Sequence, residues 1–123
     1  MKKDIKSRAD IELMVNRFYN KVKKDEVIGY FFTEVVQVNW EKHLPVMYNF
    51  WENIVFHTGS YAGNPMHAHQ KVNQKSPISM QHFQRWNLLF TQTVDELFYG
   101  DIAESIKQRA VSISTVMQIK IFG

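Results

Sequence analysis

The sequence predicts an all-α domain. Three observations carry that reading: apolar residues return at three- and four-residue spacing in four separate stretches, no stretch alternates apolar with polar, and glycine falls outside the stretches rather than inside them. At 123 residues, with no repeat, low-complexity tract or flexible linker, residues 1–123 read as one domain around one core.

The first helix is marked by Ile11, Met14, Val15, Phe18, Tyr19 and Val22, with Asp10 available as its N-cap, which puts Tyr19 on the buried stripe. Gly29 interrupts the next segment, and the cluster Tyr30, Phe31, Phe32 leads to a second helix beginning near Asn39. Its stripe is Trp40, His43, Leu44, Met47, Phe50, Trp51, Ile54 and Val55. Pro45 removes one backbone donor there, so it bends the helix or marks a later start. Thr58 to Pro65 is a loop by composition, and Met66 to Lys75 is weakly amphipathic and suits a short helix. Pro77 and Ser79 introduce a third long helix through Phe83, Trp86, Phe90, Val94, Leu97 and Phe98, ended by Gly100. With Asp101 as N-cap, Ile102, Ile106, Ala110, Ile113 and Met117 form the last.

Apolar residues make up 45% of the chain and aromatic ones 14%, from nine Phe, five Tyr and three Trp, a heavy aromatic load that has to pack on something. There is no cysteine, which removes disulfides, thiolate metal sites and cysteine nucleophiles. Met1 to Asp10 lacks the apolar run of a secretory signal, and no later run approaches the roughly 18 apolar residues of a membrane span, so a cytoplasmic protein is expected, with no membrane partner. The net charge of +3 is small, and acidic residues break both lysine clusters, which therefore read as solvated faces and not as a nucleic-acid site.

Chemistry rests on the five histidines, His43, His57, His67, His69 and His82. No H-E-x-x-H pair, serine elbow, phosphate loop or paired-carboxylate motif is present, so the familiar hydrolase and nucleotide-binding readings have no support. His67 and His69 stand two apart, and on a helix their side chains diverge by about 200°, so one of them at most faces a given ligand. Spacing does not decide which, and each histidine taken alone reads as an ordinary polar residue.

Tyr19 within R-F-Y-N-K-V, Phe32 in I-G-Y-F-F, then H-L-P-V-M-Y-N-F-W, P-M-H-A-H and H-F-Q-R-W occur in order between Arg17 and Phe90. Together they resemble the group III truncated haemoglobins, the bacterial 2-on-2 globins. The resemblance implies a truncated globin fold, a 2-on-2 helical sandwich around a haem b (iron protoporphyrin IX). It makes His69 the proximal iron ligand and places Tyr19, His43 and Trp86 on the distal side, where their O–H and N–H groups can donate to a gas ligand. Phe32, Met47, Phe50, Trp51 and Phe90 become walls for the macrocycle, with Tyr48, His82 and Arg85 as candidates for its propionates.

The implied function is reversible binding of a diatomic gas, oxygen or nitric oxide or carbon monoxide, by a monomer. Two alternatives stand beside it. One is a haem enzyme that activates peroxide or dioxygenates nitric oxide, for which an external reductase is needed because no reductase domain is present; the other is a cofactor-free helical interaction domain in which the aromatic stripes are only core.

Overall fold

In a computed structural model, residues 2–35, 38–57, 72–73 and 78–122 are described, with side chains through Ile119. Four α-helices account for most of these: α1 Arg8–Lys24, α2 Trp40–Phe56, α3 Met80–Leu97 and α4 Asp101–Phe122. Helix α1 packs against both α2 and α3, and α3 packs against α4. The described part of the 58–75 region is Val72 and Asn73, which are helical; the loop expected at Thr58 to Pro65 lies outside the described residues.

Helix α1 buries the expected stripe, Ile11, Met14, Val15, Phe18, Tyr19 and Val22. It starts earlier than expected, with Ser7 rather than Asp10 at the N-cap. Asp10 instead occupies the first turn, where its carboxylate accepts from the Lys6 N–H at 2.8 Å and lies against the positive end of the helix. Asn39 does precede α2, which runs through Pro45 without breaking because the rest of the helix supplies its bonds. The cost there is the Glu41 carbonyl, which loses its helical donor.

Between α1 and α2 lies a π-helical turn, Phe31–Val35, entered through Gly29. Glycine is required at this entry: a Cβ would stand 2.5 Å from the Asp25 carbonyl oxygen. The starts of α2 near Asn39 and of α3 near Ser79 could be read from the sequence, but a π-turn has no comparable signature.

The α3–α4 corner differs most from expectation. Gly100 does not end α3, which stops at Leu97 because the next residues join the N-terminal segment: Phe98 bridges Lys3 in parallel, and the Tyr99 N–H donates to the Lys3 carbonyl at 3.0 Å. Asp101 is the first residue of α4 and not its cap. The capping carboxylate is that of Asp4, which accepts from the N–H groups of Ile102 and Ala103, each at 2.9 Å. Gly100, at φ 150°, makes room for it, since a Cβ would fall 2.4 Å from the Asp4 side chain.

The core is an aromatic stack between helices. Phe90 is fully buried, with Trp86 parallel to it on one contact (5.5 Å between centroids, 7°) and Trp51 on another (4.8 Å, 21°). Phe18 meets both Phe90 and Trp86 edge-on, which ties α1 to α3.

Candidate functional site

Tyr19 lies near the C-terminal end of α1, one residue on from Phe18, and faces α2 and the π-turn. Its ring is 5.4 Å from that of His43, 5.4 Å from Trp40 and 5.9 Å from Phe32. Tyr19 is buried, and burial pushes its phenol well above the ordinary tyrosine range, so the hydroxyl is a proton donor and not a phenolate at neutral pH. Among the described residues no group hydrogen-bonds that hydroxyl. His43 presents a buried Nε2 beside it. Trp86, on α3, reaches the same region through Phe18, which touches both it and Tyr19. The three polar residues expected on one side of a pocket thus belong to one aromatic cluster.

The apolar wall is the exposed half of the α2 stripe. Only Trp51 is fully buried on this helix, while Trp40, Leu44, Met47, Phe50, Ile54 and Val55 are half-buried against the core, as are Phe32 and Trp86. Helix α2 therefore presents an apolar surface that the protein itself does not fully cover. A flat apolar macrocycle and a small polar ligand fit this surface on two counts: partly covered aromatic and aliphatic walls, and a tyrosine hydroxyl with no partner among the described residues.

The candidates for propionate contacts already have protein partners. The Tyr48 hydroxyl donates to Asn16 Oδ1, and the Arg8 guanidinium lies 5.7 Å from the centre of its ring. Arg85 donates through Nε to Asp25 at 2.8 Å, with a second nitrogen at 2.7 Å. Burial alone would raise the Asp25 carboxyl; Arg85 and the N–H groups of Ile28 and Val27 outweigh it and hold the group below the usual carboxylate range. His82 accepts from the Ser79 N–H at Nδ1 (2.9 Å), which leaves the proton of the neutral ring on Nε2, 3.4 Å from Tyr30 Oη. To hold a propionate, each of these three would have to exchange or share a protein partner. His67 and His69 lie outside the described residues, and His57 is exposed at the C-cap of α2 in the left-handed conformation.

Sequence reasoning placed Trp40 only on the stripe of α2, yet it touches Tyr19, His43 and Phe32. Its position three residues before His43, on the same helix face, was the available signal.

This is the truncated globin fold, a 2-on-2 helical sandwich. The chain is 26% identical over 121 residues to the group 3 truncated hemoglobin ctb of Campylobacter jejuni, a match covering 96% of this chain and 93% of that protein. Its structure is similar to the crystal structure of group III truncated hemoglobin from Campylobacter jejuni, with a TM-score of 0.86, 26% identity, and coverage of 100% of this chain and 98% of that one. No family model matches. In sequence and in fold the chain is similar to the group III truncated haemoglobins.

Proposed function

We propose that the chain is a haem protein that reversibly binds a diatomic gas, with oxygen the first candidate and nitric oxide and carbon monoxide the others. The observation that carries this reading is the buried residue Tyr19, whose ring lies 5.4 Å from that of His43 behind the half-covered wall of α2 and whose hydroxyl has no hydrogen-bond partner among the described residues. Haem b, when bound, supplies an iron with a coordination position for the gas. The protein supplies the rest: His69 is the proximal ligand, and Phe32, Met47, Phe50, Trp51 and Phe90 exclude water from the macrocycle. Tyr19 Oη and Trp86 Nε1 each carry a proton that can be donated to a polar gas ligand, and His43 adds a third donor through Nε2. Donors fixed in a water-poor site need no reorganisation when charge shifts onto the ligand. Tyr48, His82 and Arg85 complete the reading at the polar edge.

The same reading makes the protein a cytoplasmic monomer. Among the described residues no helix is long and apolar enough to cross a membrane. The test is the visible spectrum of the protein supplied with haem, recorded oxidised, reduced, and reduced under carbon monoxide. A Soret band that sharpens and shifts with carbon monoxide is expected, and His69→Ala should abolish stoichiometric haem retention. Absence of a Soret band in the parent protein would leave the cofactor-free helical domain. Normal haem retention by His69→Ala would move the proximal ligand elsewhere.

A further inference from the structure

The Tyr19–His43 pair is walled off by a residue that none of the donor roles accounts for. Trp40 is the first residue of α2, half-buried where Tyr19 is buried. Its indole packs on Tyr19 at 5.4 Å and His43 at 5.6 Å, nearly edge-on to the latter, and stacks on Phe32 at 5.8 Å and 26°. The indole also meets the ammonium of Lys23, whose Nζ lies 4.2 Å from the centre of a Trp40 ring. A cation so close to an aromatic ring is held by the ring quadrupole and restrains the indole in turn. Lys23 comes from the last turn of α1, so this contact joins the end of the helix that carries Tyr19 to the start of the helix that carries His43.

We propose that Trp40, held in place by Lys23, is the access-determining residue of this pocket: its indole closes the outer side of the Tyr19–His43 pair and sets how readily small molecules reach Tyr19 Oη. The inference rests on the reading of the pocket as a gas site, but the closure of Tyr19 by Trp40 is measurable without haem. A wall of this kind acts by size: a diatomic molecule passes through small fluctuations of the ring, whereas a bulkier solute needs the ring displaced.

The experiment pairs two readouts on the full chain and on its Trp40→Ala, Trp40→Phe and Lys23→Met variants. The first is nitration of Tyr19 by tetranitromethane, located by peptide mass spectrometry with and without haem, with far-UV circular dichroism to verify the fold. The second is carbon monoxide rebinding after photolysis of the haem-loaded protein. Tyr19 should be protected in the parent, and in Trp40→Ala nitration should accelerate about fivefold or more and rebinding by a smaller factor, with Trp40→Phe within about twofold of the parent because it keeps a ring in place. Lys23→Met, which keeps the stem and removes the charge, should raise nitration by about twofold and reads the closure even where Trp40→Ala does not fold. Unchanged Tyr19 nitration in a folded Trp40→Ala overturns the proposal, as does an unchanged Lys23→Met where Trp40→Ala does not fold. Faster nitration in a protein that takes up no haem would keep Trp40 as the closing residue and overturn the gas-binding function instead.

Discussion

In the proposed gas site Tyr19 is a distal donor, and it carries the clearest single-residue prediction. The residue is buried and its hydroxyl protonated, so Tyr19→Phe removes one donor and leaves the ring contacts with His43, Trp40 and Phe32 in place. Haem should remain bound, while loss of one hydrogen bond worth about 1 kcal/mol should speed oxygen release roughly five- to tenfold in a stopped-flow displacement measurement. An unchanged rate would assign the donor role to Trp86 or His43. Asp4 carries the corresponding prediction for stability. Partial burial raises its carboxyl, but the N–H groups of Ile102, Ile5 and Ala103 donate to it and hold it below the usual carboxylate range. Asp4→Ala should lower unfolding stability by about 1 to 2 kcal/mol in urea titrations near neutral pH, the cost of a lost N-cap. Because the folded value is depressed, the advantage of the parent over this variant is present above the ordinary carboxylate value of 3.8 and fades as pH falls through the lower folded one. Tyr19 was legible from the i, i+3, i+4 pattern that places it on the buried stripe. Asp4 was not, because no local pattern relates a charged N-terminal residue to a helix 98 positions away.

The helix starts show how much an element borrows from its neighbours. Helix α3 begins at Ser79 as its residues suggest, yet the group that closes its first turn is the imidazole of His82, three residues on, in the place where a glutamate or glutamine usually stands. Burial lowers the pKa of His82 below the ordinary 6.5, so the folded protein favours the neutral ring that accepts from Ser79. The stabilisation is therefore full above 6.5 and is lost as pH falls from there through the folded value, where Nδ1 takes up a proton and the cap opens. Thermal denaturation between about pH 5 and 7 should show a stability loss on acidification that is smaller in His82→Gln, which keeps a side-chain acceptor but cannot titrate. Equal slopes for the two proteins would place the pH response elsewhere. Helices α1, α2 and α3 could be located by amphipathic spacing because each has one buried face and one exposed face. The π-turn at Phe31–Val35 and the true cap of α4 depend on contacts made only after the helices pack.

At the scale of the whole molecule, Phe90 joins the aromatic layers of α1, α2 and α3, through Phe18, Trp51 and Trp86. Phe90→Ala should cost about 3 to 5 kcal/mol, a large share of the roughly 5 to 15 kcal/mol that holds a domain together, and should weaken haem retention in step. Denaturant unfolding followed by circular dichroism, with the Soret band read in parallel, measures both; a loss under about 1 kcal/mol would mean that the stack relaxes around the gap. The all-α class was legible because each stripe announces its own helix. The order of packing, with α1 between α2 and α3, is a property of the assembled surfaces, and so is the commitment of Tyr48, Arg85 and His82 to protein partners. The strap from Lys3 and Asp4 to Phe98, Tyr99 and the first turn of α4 has one more consequence, in the timing of synthesis. Asp4 is made 98 residues before Ile102, so the N-terminal segment waits for its partner through the synthesis of α1, α2 and α3, and this strap closes only after all three.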